Sequence, residues 1–343
     1  MLKWYFCVMQ NELISILIPF KNTKTYLVEC LDSIINQSYQ HWELLIVDDH
    51  SIDNSYDIVL AYTEKDKRIK LFRNHGNGII AALQLAFSKS SGDYITRMDS
   101  DDIMHTEKLQ LMIADLKTHG KKHIALGLVK YFSANGIGDG YAKYESWLNN
   151  LTSQGNNYSE IYKECVIPSP CWMLHRDDFL TCEAFTPNRY PEDYDLTFRC
   201  YKNNIKCIPS QTILHYWRDY STRASRTDEH YAENHFLELK VDYFLALNYD
   251  KSRPLTIWGA GQKGKKVARL LKQKKISFIW ICDNPKKIGK HIYDEFLYNF
   301  EHLQKLNKPQ SIVSVANAAS QEDIKTYFKS QHMSPMIDYF FFC

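Results

Sequence analysis

Ile14-Ser15-Ile16-Leu17-Ile18-Pro19-Phe20 is an apolar run rich in branched residues, and Glu43-Leu44-Leu45-Ile46-Val47-Asp48-Asp49 is a second, stopped by two aspartates. Runs that are apolar at successive rather than alternate positions predict strands buried on both faces. Between them Leu27, Cys30, Leu31, Ile34 and Ile35 recur at three- and four-residue spacing, which predicts a helix with one buried face. The unit is therefore strand, helix, strand. Ile69 to Phe72 and Tyr94 to Met98 repeat the strand theme on either side of an alanine- and leucine-rich helical stretch from Ile79 to Phe87. This alternation predicts an α/β fold with a mostly parallel central sheet and crossover helices, whose ligand sites lie beyond the carboxyl ends of the strands. Asp48-Asp49 and Asp99-Ser100-Asp101-Asp102 each close a strand, so both acidic clusters are expected on one rim.

Further along, Ile124 to Phe132 reads as a strand, and Asn135 to Tyr158, rich in Gly, Asn and Tyr, as an insertion or acceptor-side loop. Glu192 to Tyr201 is expected to be a short helix and Glu229 to Leu247 a longer one. The pattern breaks at a polar stretch and restarts with Leu255-Thr256-Ile257-Trp258. The expected organisation is an extension over 1–13, with Met9 as an alternative start, a first domain over 14–247, a linker over 248–253 and a second domain over 254–343.

The chain has 343 residues, 42 of them basic and 40 acidic. A net charge of +2 excludes a polyanion binder driven by charge alone, and no nucleic-acid partner is expected. Nine cysteines, odd in number and never spaced C-x-x-C, argue against a zinc cage or a secreted disulfide framework. A cytoplasmic protein is expected from this cysteine usage, and no apolar stretch approaches the ~20 residues that cross a bilayer. Residues 254–343 nevertheless carry 14 basic against 7 acidic side chains. A solvated lysine face on the helix Lys263 to Lys275 accounts for this excess; the alternative is an anionic partner, such as peripheral contact with the inner face of a membrane.

Asp99 and Asp101 stand one residue apart at a strand end and would repel each other unless a cation lies between them. Mg²⁺ or Mn²⁺ prefers carboxylate oxygens and completes its shell with phosphate, so the pair suits a nucleotide diphosphate. An acidic turn is the simpler reading of an Asp-x-Asp in isolation. Here it is one of an ordered series. Ile16 to Phe20, Val47-Asp48-Asp49-His50-Ser51-Ile52-Asp53, Asn77-Gly78-Ile79-Ile80-Ala81-Ala82, Gly92 to Asp102 and Pro191-Glu192-Asp193-Tyr194-Asp195 resemble, in order, the motifs of family 2 glycosyltransferases, enzymes of the GT-A fold.

That resemblance covers roughly residues 14–247 and implies roles residue by residue. Asp49 matches the carboxylate that contacts the uracil edge, and Pro19, Arg97, Asp99, Arg218 and Arg223 fall in the donor-binding segments. Asp99 and Asp101 match the metal and ribose-diphosphate contacts, with Asp102 suited to cap the following helix. Asp193 matches the catalytic base, which takes the acceptor's proton in an inverting transfer. Its neighbour Glu192 is placed on the acceptor side, as is Trp172, whose ring could either stack on a sugar or belong to the core. Glu192 and Asp193 could equally serve the helix dipole, and Asp195 and Arg199 a structural pair. Tyr220 occupies the place where many similar enzymes carry a histidine; His215 is the nearest imidazole and the candidate third metal ligand. Ser221 to Arg226 offers hydroxyl and guanidinium groups suited to diphosphate. The implied donor is a nucleotide sugar, a UDP-sugar above others, and the implied acceptor a glycan or lipid-linked glycan.

In the second domain Gly259-Ala260-Gly261-Gln262-Lys263-Gly264 follows a strand and opens a helix, fitting G-x-G-x-x-G, and Asp283 ends the next strand 22 residues beyond Gly261. This resembles small Rossmann-like appendages of sugar-modifying enzymes. Two other readings stay open: a nicotinamide (NAD)-dependent sugar oxidoreductase centred on Gly259, Gly261, Gly264 and Asp283, and a nonenzymatic nucleotide-sugar-binding protein.

Overall fold

The structure, a computed structural model, describes residues 12–223 and 236–343. It divides into two compact units, Met1–Asn157 with Ile167–Ser221, and Tyr158–Val166 with Thr222–Cys343.

In the first unit, β1 (Ile14–Phe20), β2 (Trp42–Asp48), β3 (Ile69–Arg73) and β4 (Tyr94–Arg97) are parallel. Every residue of β1, β2 and β4 is buried, as their unbroken apolar runs require. The crossovers are α1 (Leu27–Ile35), α2 (Ser55–Lys65) and α3 (Ile79–Ser88). On α1, Leu27, Cys30, Leu31 and Ile34 are the buried face. After β4 come β5 (Ile103–Met104), α4 (Lys108–His119), β6 (His123–Leu126) and β7 (Leu128–Phe132). They are followed by α5 (Asp139–Gln154), β8 (Trp172–His175), α6 (Arg176–Thr181), α7 (Glu192–Lys202), β9 (Lys206–Ile208) and β10 (Ile213–Arg218). The large sheet runs β3-β2-β1-β4-β8-β6-β9, with β8 antiparallel to both neighbours. A small sheet, β5-β10-β7, completes the unit.

The single strand expected over Ile124 to Phe132 is two strands that serve different sheets and part at Gly127. A Cβ there would lie 2.5 Å from that of Leu214, so the chain changes sheets where only glycine fits. The expected loop over Asn135 to Tyr158 contains the helix α5, which buries Leu148, Leu151 and Thr152 and ends at Gly155 with φ 64°. Its polar composition reflects an otherwise exposed helix with a narrow apolar stripe.

In the second unit α8 (Leu237–Leu247) is followed by β11 (Leu255–Trp258), α9 (Gln262–Gln273), β12 (Ile279–Cys282), β13 (His291–Ile292) and β14 (Glu295–Asn299). Then come β15 (Gln310–Val313), α10 (Ala318–Ser330) and β16 (Tyr339–Phe341). The order is β13-β14-β12-β11-β15-β16, parallel throughout except for the β13–β14 hairpin. This is the doubly wound order with β11 central. Tyr162 stacks on Phe342 at 5.1 Å and meets Phe244 of α8 edge-on, so α8 belongs to this unit rather than to the first. Asn248 to Arg253, expected as a linker, is bound into it as well. Gln310 Nε2 donates to the Asn248 carbonyl at 2.8 Å, and the Asp250 N–H donates to Gln310 Oε1 at 2.7 Å.

At the amino end of the large sheet, the Glu43 carboxylate of β2 accepts from Ser15 Oγ at 2.7 Å, Lys70 Nζ at 2.7 Å and the Ser91 and Gly92 N–H groups at 2.5 and 3.2 Å. Burial by itself would raise the carboxyl, but Lys70 and these hydrogen bonds outweigh it and hold Glu43 below the usual carboxylate range. A depressed carboxyl contributes stability above its unfolded pKa and loses it as pH falls through the folded one. Glu43→Gln is therefore expected to cost about 1–3 kcal/mol near neutral pH. Urea unfolding of both proteins across pH should show the difference shrinking as acid protonates Glu43; a cost independent of pH would contradict the assignment.

Candidate active site

The carboxyl ends of β1, β2 and β4 meet where the order of the large sheet reverses, between β1 and β4. Crevices at such reversals are where open α/β sheets bind ligands. Asp49, the residue after β2, donates its N–H to the Phe20 carbonyl at 2.8 Å, which fixes it beside the end of β1. Pro19 sits one residue back, in register with Val47. The Asp49 side chain is 7% exposed, and its Oδ1 accepts from Asn74 Nδ2 at 2.7 Å and the Gly78 N–H at 3.1 Å. Its Oδ2 has no hydrogen-bond partner among the described residues. Asp48 braces the turn, accepting from the Ser51 N–H at 3.0 Å.

Arg97, the last residue of β4, is 4% exposed. Its Nη1 donates to Glu192 Oε1 at 2.7 Å and Ser169 Oγ at 3.1 Å, and its Nη2 to Asp99 Oδ1 at 3.1 Å. Burial disfavours the charge, but Asp99, Glu192 and Asp193 outweigh it and hold the guanidinium firmly charged. Arg97 is thus a buried strut spanning the rim, committed to protein carboxylates rather than presented to a donor as expected. Glu192 corrects in the same way. It is buried, with its carboxyl raised by burial and by Asp193 and pulled back by Arg97, and so does not line the acceptor side.

Asp193 lies in the first turn of α7 and is partly exposed. Its Oδ2 accepts from the Ser169 hydroxyl at 2.5 Å and its Oδ1 from the Tyr194 N–H at 2.7 Å. Asp195 and Arg199 form the expected structural pair at 2.8 Å, and Arg199 also donates to the carbonyls of Cys182 and Ala184, tying α7 to the end of α6.

The acidic turn after β4 is held from β10. Asp102 is fully buried and accepts from the Arg218 N–H at 2.8 Å, with His215 Nε2 2.9 Å from its other oxygen. Asp102 is therefore not a helix cap. His215, 0% exposed and bonded to Asp102, is not presented as a metal ligand. Arg218 is also engaged within the protein. Its Nε donates to the Asp101 carbonyl at 2.8 Å and its Nη2 to Glu29 at 2.8 Å, and its guanidinium lies between the Tyr26 and Phe132 rings. Tyr220 donates its hydroxyl to Asp101 Oδ2 at 2.8 Å. Arg223 falls in the second unit and is buried, and Ala224 to Arg226 lie outside the described residues. Trp172 is 2% exposed and packs on Phe179 at 5.6 Å, which makes it core rather than a platform for a sugar.

No group of three or more His, Cys, Asp or Glu able to hold a metal occurs among the described residues. Asp99, 21% exposed, and Asp101 still offer the donor type a hard cation takes when it shares its shell with phosphate and water. Those two residues fit such a cation; His215 does not. Asn74 and Glu29 carry no local signal of a place at the site, and neither does the contact of Ser169 with Arg97. Only folding brings them to the rim, since Ser169 stands 72 residues from Arg97.

In the second unit, Gly259 takes φ +116°, and a Cβ on Gly264 would lie 2.1 Å from the Gly259 carbonyl oxygen, so these glycines answer to the turn and to helix–strand packing. Gly261 has open space at its Cβ position, and Asp283 is exposed beyond β12.

Comparisons with known proteins bear on the family and the fold. Residues 15–181 match the family described as Glycosyl transferase family 2. Over 240 residues the chain is 30% identical to the Escherichia coli UDP-Glc:alpha-D-GlcNAc-diphosphoundecaprenol beta-1,3-glucosyltransferase WfgD, covering 68% of this chain and 84% of that protein. An uncharacterized glycosyltransferase of Haemophilus influenzae is 45% identical over 103 residues, 30% of this chain and 41% of that one. The chain spans less than half the length of several such relatives, 34% of Streptococcus pneumoniae GlyG among them. The structure of S. aureus TarS 1-349 in complex with UDP-GlcNAc superimposes with a TM-score of 0.54 at 20% identity, over 75% of this chain and 71% of that one, which is a likeness of fold. The chain belongs to the family 2 glycosyltransferases, with the GT-A fold.

Proposed function

We propose that the protein transfers a sugar, with inversion, from a nucleoside diphosphate sugar to a hydroxyl of a glycan or lipid-linked glycan, and that the donor is a UDP-sugar. The observation that carries the reading is one rim bearing Asp49, Asp99, Asp101 and Asp193, with Arg97 joining the donor side to the acceptor side. The donor named for WfgD and the ligand of the TarS complex, both UDP-sugars, support the choice of nucleotide.

Asp49 is pinned through Oδ1, which leaves Oδ2 to accept an N–H from the edge of a uracil. Asp99 and Asp101 would hold a divalent metal together with the diphosphate. When bound, such an ion supplies positive charge against the negative charge growing on the departing nucleoside diphosphate. Asp193 accepts the proton of the acceptor hydroxyl as its oxygen forms a bond to the anomeric carbon and the bond to the diphosphate oxygen breaks. Glu192 is the weaker candidate for base, because Arg97 already takes its charge in a buried pair. One carboxylate on the acceptor side is enough for single displacement. A lipid-linked acceptor would be met at the inner membrane face by a cytoplasmic enzyme, and the basic excess of residues 254–343 suits that placing.

Asp193→Asn should retain donor binding while UDP release in the presence of acceptor falls by about 10²–10⁴-fold, the usual weight of a general base. Near-native turnover in that variant would remove Asp193 from the mechanism. Asp101→Ala should weaken binding of UDP-glucose or UDP-N-acetylglucosamine in the presence of Mn²⁺ much more than in its absence, as read by calorimetry. Equal binding by both proteins with Mn²⁺ would refute the metal assignment.

A further inference from the structure

Ser169 lies between the two charged groups that matter most at the rim. It accepts from Arg97 Nη1 at 3.1 Å and reaches Asp193 Oδ2 at 2.5 Å. A guanidinium only donates, so Arg97 occupies a lone pair of the hydroxyl and leaves its single proton for the carboxylate. The resulting order, Arg97 to Ser169 to Asp193, has one direction.

The turn that carries Ser169 is fixed independently of this contact. Pro168 and Pro170 restrict the backbone on both sides, and the Cys171 N–H closes the turn on the Pro168 carbonyl at 3.1 Å. The fully buried Lys108 of α4 donates to the Pro170 carbonyl, and Cys171 Sγ lies 3.4 Å from the Gly127 carbonyl. Ser169 itself is buried. A donor held this way does not follow Asp193; Asp193 follows it.

We propose that Ser169 is a positioning residue for Asp193, its hydroxyl aimed by Arg97 so that the carboxylate is held in one orientation toward the acceptor. This rests on Asp193 being the base. Arg97 from β4 and Glu192 from its own helix both interact electrostatically with Asp193, and they are opposite in sign and paired with each other. Ser169 therefore supplies the directional contact that those charges do not.

The test follows UDP release by the full-length protein from UDP-glucose and UDP-N-acetylglucosamine with a lipid-linked glycan acceptor. In Ser169→Ala kcat should fall by about ten-fold while calorimetric binding of the donor stays as in the parent protein, as expected for loss of one charge-assisted hydrogen bond to the base. Ser169→Thr, which keeps the hydroxyl, should restore kcat. Ser169→Cys, similar in size and a weak donor, should give an intermediate kcat and serves if the alanine variant does not fold. An unchanged kcat in folded Ser169→Ala or Ser169→Cys, or a loss matched by lost donor binding, would overturn the proposal. The base assignment is tested apart from this by UDP release in Asp193→Asn. Loss of release there with an unchanged kcat in Ser169→Ala removes only the role of Ser169, whereas turnover retained there removes the base.

Discussion

The rim depends on the buried cation of Arg97. Like charges about 4 Å apart near a protein surface repel by roughly 4 kcal/mol, and the rim gathers Asp99, Glu192 and Asp193 around one strand end. Arg97 answers two of them directly, at 3.1 and 2.7 Å, and shares Ser169 with the third. The dependence is mutual, because burial disfavours the guanidinium's charge and those acids outweigh it. Removing one side of such a buried pair typically costs about 3–5 kcal/mol, mostly from the charge left behind. Arg97 therefore works as a strut between the strand end that carries Asp99 and the helix that carries Glu192 and Asp193.

A second layer holds the acidic turn from behind, and strand register sets it. β10 runs antiparallel to β5 with His215 opposite Met104, which brings its imidazole beside Asp102, the residue just before β5. The same strand then delivers Arg218 to Asp102 and to the Asp101 carbonyl, and the chain just beyond it brings Tyr220 to the Asp101 carboxylate. Asp102, His215 and Arg218 are thus consumed in shaping the turn on which Asp99 and Asp101 stand. A histidine near a candidate metal pair reads as a ligand only until its register is known.

The parts legible in the sequence were those carried by local pattern. Continuous apolar runs gave away the doubly buried strands, and helical spacing on Leu27 to Ile34 gave away the first crossover, because periodicity follows directly from which faces are buried. Acids at strand ends were legible because topology sends the ends of parallel strands to one rim. Long-range pairing was not. The partners of Arg97 stand 72 and 95 residues away at Ser169 and Glu192, and no spacing rule reaches that far. The α5 helix hid behind its polar composition, and Trp172 showed an aromatic ring without showing that Phe179 covers it. The break after Leu247 marked a change of pattern, yet the structural boundary follows the aromatic packing of Tyr162, Phe244 and Phe342, which draws on three separated stretches of chain.

Burial sorts the many carboxylates of this rim into two kinds, and the sorting bears on mechanism more than their number does. Glu192, Asp102 and Asp195 are buried, and each is matched to a cation or a histidine. Such groups have already exchanged water for a fixed partner, so a substrate could engage them only by breaking that pair. Asp99 and Asp193 keep access to solvent and hold only part of their hydrogen-bonding capacity within the protein. A carboxylate that must take a proton from an incoming hydroxyl needs a lone pair open to it as well as a fixed orientation. Asp193 meets both requirements, because Ser169 and the Tyr194 N–H fix its plane while its partial exposure leaves an approach. Glu192, one residue earlier on the same helix, meets only the second. The adjacent acids of α7 are therefore not interchangeable: one anchors the helix to β4, and that anchoring fixes the other at the rim with part of its carboxylate open to solvent.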